Sequence, residues 1–399
     1  MRRSIAILIL LLCGFQISCN TYFPLKFSPN SNQQNYYVKK SEAQKVALKL
    51  YRITKGHQIL RSNHSNGQIR DHLIASYHSF PGGNNLTALH IFNFAEGGFV
   101  ILSADKRTQA VLAFSEGNSF GFKGGLPTGI SLWVGEMISL VEATRKEDLP
   151  LQKTYEAEID QFIELFGRKR PPDTLKTLWA QQMGFNNFMP KLDYCGTSSY
   201  PALPPENKGR AYTGCVATAM AQIMRYYEYP KKYDYSIMPE VVNTANVVSK
   251  GTNEAALLIF DISSSLPVDP ECEATGAAAN IVDIVKTFKN NFNYSPTVDH
   301  RVFDFQTAKH EIANGRPVIL TGFWSQSNWL PGKGHAWVAD GCFDTADQEK
   351  RNGNGSIALL HMNWGWGNSG YNGWYYSETW APGSYNHQYR KEMVVGIQP

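Results

Sequence analysis

An α+β fold in two parts is predicted for this 399-residue chain, and three observations predict it. Its length suits two domains of roughly 100–200 residues each. The stretch Gly167-Arg168-Lys169-Arg170-Pro171-Pro172 joins a basic run to a proline pair, which disfavours regular structure and keeps the chain exposed. The part that follows has a helical front and a β-rich rear, which is an α+β pattern.

The elements follow in order. Met1-Arg2-Arg3-Ser4 precedes an apolar run from Ile5 to Phe15 and then Gln16-Ile17-Ser18-Cys19, so residues 1–19 read as a signal peptide. The run is shorter than the ~20 apolar residues a membrane span needs. Cys19 after Ser18 resembles a bacterial lipobox, with Gln16 where the usual Leu would stand, so lipid anchoring at Cys19 and plain cleavage with release are both open. Either way the protein is expected to be exported, to the cell surface or the medium.

Ser41-Glu42-Ala43-Gln44 reads as a capping box, with Val46, Ala47, Leu50 and Tyr51 at helical spacing, predicting a helix from about 41 to 55. Three strand-like runs follow, Ala88 to Phe92, Gly98 to Ser103 and Ala110 to Ser115, separated by Gly- and Asp-bearing turns. Leu132 to Ala143 and Tyr155 to Phe166 return to helical periodicity. Beyond the linker, a helix opens at Cys215, and Pro317 to Thr321, Ala336 to Ala339 and Ile357 to Met362 read as strands.

Composition excludes some classes of function. The net charge of +4 is scattered rather than gathered into a stripe, so no nucleic-acid partner is expected. Of six cysteines, Cys13 and Cys19 belong to the targeting segment, and Cys195, Cys215, Cys272 and Cys342 show no CxxC spacing. These spacings do not suggest zinc, and thiolate chemistry needs no cofactor; none is expected. If Cys215 stays free for chemistry, at most one disulfide can form among the other three.

Thr213-Gly214-Cys215 leads into an apolar helical stripe of Val216, Ala219, Met220, Ile223 and Met224, which places Cys215 at a helix N-terminus. Unpaired N–H groups and the macrodipole there favour an anion and lower a thiol's pKa. A lone cysteine is more often a small buried hydrophobe, and the surroundings decide otherwise. His335, in Gly334-His335-Ala336-Trp337, heads a strand after a Gly- and Pro-bearing loop, where a ring can face a cleft and serve a nucleophile as base. His361 and His310, among the ten histidines, read as structural. Asn363-Trp364-Gly365-Trp366-Gly367 offers an amide to orient an imidazole and indoles to cover that bond; a Gly- and Trp-rich turn of a binding domain reads equally well.

Taken together, Trp179-Ala180-Gln181, Thr213 to Ala219, Gly334-His335-Ala336, and Asn363 to Gly367 with the terminal Val394-Val395-Gly396-Ile397 resemble the streptopain family of bacterial papain-fold cysteine peptidases. Gly97 to Arg107, with Val111-Leu112, resembles that family's inhibitory pro-segment. The resemblance implies a papain-like α+β catalytic domain over residues 173–399, a smaller α+β inhibitory pro-domain over 20–168 and an exposed activation linker at 169–172. Cys215 would be the nucleophile, His335 the general base, and Gln181 with the Cys215 N–H the oxyanion hole. Asn363, Trp364 or Trp366 would orient the histidine. Gly334 and the loop bearing Ala277 would line the substrate site.

The expected partners are protein or peptide substrates and the chain's own pro-domain, and the expected state is a monomer. The loop at Cys272-Glu273-Ala274 departs from the family's Tyr-Gly, which leaves side-chain preference open. Two rival readings are acyl transfer or small-amide hydrolysis by the same Cys-His pair, and a non-catalytic binder using Trp364, Trp366, Trp374 and Trp380.

Overall fold

A computed structural model describes residues 35–54, 73–83, 85–123, 125–148, 151, 155–168, 175–193, 195, 208–272, 280–324, 334–345, 357–377 and 389–399. The signal peptide with Cys19, the linker at 169–172 and Ala277 lie outside them.

The N-terminal region holds α1 (Lys40–Thr54), strands β1 (Ile74–Pro81), β2 (Thr87–Phe94), β3 (Phe99–Ser103) and β4 (Val111–Ser115), then α2 (Thr128–Glu147) and α3 (Tyr155–Arg168). The helix and strands expected here are present. β1 was not anticipated, because its burial pattern is mixed and its sequence carries no clean alternation. Gly167 and Arg168 belong to α3, which runs to Arg168, rather than to the linker.

The C-terminal region begins with α4 (Cys215–Tyr227), α5 (Lys250–Ser265) and α6 (Ile281–Lys286). Strand β5 (Asp299–Val302) and α7 (Phe305–Ala313) follow, then β6 (Val318–Trp324), β7 (Gly334–Asp344), β8 (Ala358–Asn363), β9 (Gly373–Tyr376) and β10 (Tyr389–Val395). Ser249 caps α5 by accepting from the Thr252 N–H, and Asp304 caps α7 through Thr307.

All ten strands form one sheet, in the order β1-β2-β3-β4-β9-β8-β7-β6-β10-β5, with every neighbouring pair antiparallel. The sheet crosses the expected domain division at β4–β9, where Ala113 faces Tyr375 and Phe114 faces Trp374. The two-residue side-chain period then builds two cores. Val318, Leu320, Trp337, Ala339, Met393 and Val395 join the apolar cluster shared with the N-terminal region. Ile319, Ala336, Val338 and Val394 point to the other face and pack with α4 and α5. A disulfide links Cys195 to Cys272, leaving Cys215 and Cys342 free.

Candidate active site

Cys215 is the first residue of α4, and Gly214 before it has φ +83°, a left-handed value that glycine adopts without strain. No side chain caps this end, so the first-turn N–H groups remain directed at the thiol. The thiol is half-buried. Burial pushes its pKa up, against backbone N–H groups of Ala336, Val216 and Cys215 itself that favour the thiolate. The lowered pKa expected from a helix N-terminus is therefore not the state of this form of the chain, because desolvation outweighs the N–H groups.

His335 is the second residue of β7 and is almost wholly buried. Its Nε2–H donates to the carbonyl of Trp364 at 2.9 Å, which leaves Nδ1 as the unprotonated nitrogen, and Nδ1 has no hydrogen-bond partner among the described residues. The ring lies parallel to Trp366 at 4.8 Å and to Trp337 at 6.0 Å. Burial lowers its pKa to about 4. No hydrogen bond joins the imidazole to Cys215.

Against the imidazole lies α2. Gly129, in its first turn, sits so close to His335 that a Cβ there would fall 2.4 Å from ring Cδ2 and 3.1 Å from Trp364 Cε3. The N-terminal region thus abuts the imidazole directly, through a residue without a side chain.

Gln181 is buried, and both atoms of its side-chain amide lack partners among the described residues. Its carbonyl accepts the Thr213 N–H at 3.2 Å, which holds Gln181 beside the turn carrying Cys215. On the other side the Gly367 N–H donates to the Trp179 carbonyl at 3.0 Å, and Ala180 bridges to Trp366. A buried amide without partners costs about 1–3 kcal/mol, and such a cost is commonly tolerated where the group has chemistry to perform.

Asn363 ends β8 and does not touch the imidazole nitrogens. Its Nδ2 donates to the Thr177 carbonyl at 2.7 Å and to Gln222 Oε1 at 3.0 Å, while Oδ1 accepts from the Gly365 N–H at 3.3 Å. Of the residues expected to orient His335, Trp364 makes the contact, and it does so through its backbone carbonyl. Gly334 opens β7 opposite Phe323.

Sequence reasoning missed Gln222. Its Oε1 accepts from Thr177 Oγ1 at 3.0 Å, from the Trp179 N–H at 3.4 Å and from Asn363, tying the Cys215 helix to the segment before Gln181 and to the Trp364 loop. The available signal was an amide two helical turns after Cys215, on the same face as Cys215 and Thr218 of a largely apolar helix. His361, read as structural, pairs through Nδ1 with the buried carboxylate of Asp340 at 2.6 Å, and Asp340 also accepts the Leu175 N–H at 3.3 Å.

The chain is similar to several known proteins. The Peptidase C10 family model matches residues 179–233 and 231–375, and a Spi protease inhibitor model matches residues 35–139. Streptopain of Streptococcus pyogenes is 26% identical over 316 residues, covering 70% of this chain and 71% of that one. The thiol protease/hemagglutinin PrtT of Porphyromonas gingivalis is 25% identical over 355 residues, covering 77% of this chain and 37% of its own length. Among solved structures, a fragment of Prevotella intermedia prointerpain A superposes with a TM-score of 0.58 at 20% identity, covering 81% of this chain and 99% of that one. That likeness bears on the fold, which is papain-like.

Proposed function

Because the chain belongs to the Peptidase C10, or streptopain, family of cysteine peptidases, we propose that it is an exported endopeptidase made as a zymogen, with Cys215 as nucleophile and His335 as general base. The observation that carries the assignment is a buried imidazole with its Nδ1 unprotonated and unpartnered, one residue before the Ala336 N–H that is directed at the Cys215 sulfur. Once paired, Nδ1 takes the thiol proton as sulfur attacks the peptide carbonyl, and gives it to the leaving amine. Water then hydrolyses the thioester.

The Gln181 amide and the Cys215 N–H hold the developing oxyanion; donors in such positions contribute about 3 kcal/mol each. The Trp364 carbonyl positions the imidazole, Asn363 braces the Trp364 turn through Gly365 and Gln222, and Gly334 and Ala277 border the substrate. The rival small-amide and binding readings gain nothing from an N-terminal region packed on the imidazole.

In this reading residues 20–168 are the pro-domain, which closes the site by seating the first turn of α2 on His335, and 173–399 are the catalytic domain. Cleavage at 169–172 begins activation. The chain acts outside the cell as a monomer, released or held by lipid at Cys19, and its substrates are proteins or peptides. The test is labelling with a thiol-directed epoxide, read by peptide mass. A single adduct on Cys215 after linker cleavage, slow in the uncut chain and lost in His335→Ala, is expected. A Cys215 as inert as Cys342 in the cleaved protein refutes the assignment.

A further inference from the structure

Resting on the peptidase reading, we propose that Lys391 forms a carboxylate-binding subsite that selects an acidic group about three residues beyond the scissile bond, on the leaving-amine side. The sheet register places it. His335 on β7 faces Gly322 on β6, and Gly322 faces Lys391 on β10. Directly opposed residues of antiparallel strands share a face, so His335 and Lys391 stand on the same face, with their backbones roughly 10 Å apart across two strand spacings. Between them lies a glycine covered by the edge of the Trp337 indole, whose Cη2 is 3.3 Å from a Cβ built there, so the path from imidazole to ammonium runs along an indole.

In the uncleaved chain α2 fills this groove in matching register. Gly129 meets His335, Leu132 Cδ1 lies 3.7 Å from a Cβ built on Gly322, and Glu136 forms an ion pair with Lys391. Gly129 and Glu136 are seven residues apart, about 10.5 Å of helix and nearly two turns, so one helix face reaches both ends of the groove. The same cleft is lined by Trp337. Lys391 thus already holds a carboxylate, and removal of the pro-domain takes that carboxylate away.

An extended peptide covers the same distance in about three residues at ~3.3 Å each. The direction follows from His335 itself. It protonates the leaving amine, so the groove running outward from it over β6 and β10 receives the residues after the scissile bond. The ammonium at its far end then accepts either an acidic side chain or a free C-terminal carboxylate.

The test uses the full chain activated by limited proteolysis and a series of internally quenched peptides. They share one scissile bond and carry a single Glu, in place of Gln, at each of the first five positions after it, with amidated ends. A second set ends in a free carboxylate at each position and carries no acid. A rise in kcat/KM of roughly three- to fivefold is expected for Glu at the second to fourth position, as befits a partly exposed ion pair. It should vanish in Lys391→Met and turn into a preference for Lys in Lys391→Glu. A matching gain in the second set identifies the terminal carboxylate as the ligand. A flat profile, a maximum elsewhere, or a preference surviving Lys391→Met overturns the proposal. Absence of hydrolysis of every peptide instead overturns the peptidase reading on which it rests.

Discussion

Gly129→Ala should loosen the latent form without unfolding the protein. The added Cβ would stand 2.4 Å from His335 Cδ2, well inside the ordinary contact range of 3.4–4 Å. The ring cannot step aside, because Nε2 is bonded to the Trp364 carbonyl and the ring faces lie against Trp366 and Trp337. The first turn of α2 must lift instead. Overpacking of this kind costs about 1–3 kcal/mol, of which alanine's better helix propensity recovers at most about 1. A net strain of about 1–2 kcal/mol raises the population of the open form roughly five- to thirtyfold.

The assay is the initial rate of epoxide alkylation at Cys215 in uncut full-length protein, with intact mass confirming that no cleavage has occurred. Cys342 on β7 is the internal control, since burial pushes its thiol up to about 12 and so disfavours the reactive thiolate. Faster labelling of Cys215 with Cys342 silent is the expected result. A Cys215 rate within twofold of wild type, at unchanged thermal stability, would refute the claim that the first turn of α2 closes the site.

Three further outcomes follow from the same geometry. His335 is held neutral by burial at about 4 against an ordinary 6.5, so the unfolded chain binds the extra proton first as pH falls. The packing is therefore intact above about pH 6.5 and loses up to roughly 3 kcal/mol on the way to pH 4; urea midpoints of the uncut protein against pH should show this slope, and a His335→Gln variant with the same slope would refute the assignment. Gln222→Leu removes the acceptor shared by Thr177, Trp179 and Asn363 and should destabilise by about 2–4 kcal/mol, measured by urea unfolding, with a loss below about 0.5 kcal/mol counting against its linking role. Replacing Cys195 and Cys272 together by Ser opens a bridge spanning 77 residues and should lower stability by about 2–4 kcal/mol in the same assay, while unchanged unfolding would mean the bridge does not constrain the unfolded chain.

Much of this protein was legible in the chain itself. The helix at Cys215 announces itself by a 3.6-residue apolar period, and the strands around His335 and His361 by short β-branched and aromatic runs. These are local signals, set by which side chains neighbour one another along an element. The resemblance of separated motifs to the streptopain family likewise needed only residue identity and order. Gln222 was harder, because a single amide in an apolar helix looks like an exception until Thr177, Trp179 and Asn363 are seen converging on it.

The tertiary structure decided what depends on contacts between residues far apart in sequence. That β4 continues the sheet through β9, so that one core spans the expected domain division, follows from pairing Phe114 with Trp374, 260 residues apart, and no local period encodes such a partner. The sequence by itself singled out Cys215 and His335 as the expected reacting pair and suggested a two-part layout, because each expectation rests on residue type and short-range pattern. The state of the site belongs to the fold. A helix N-terminus argues for a thiolate at Cys215, yet in the intact chain burial raises that thiol and neutralises His335, since desolvation is set by everything packed around a group, and around His335 that includes Trp366, Trp337 and Gly129 of a distant helix.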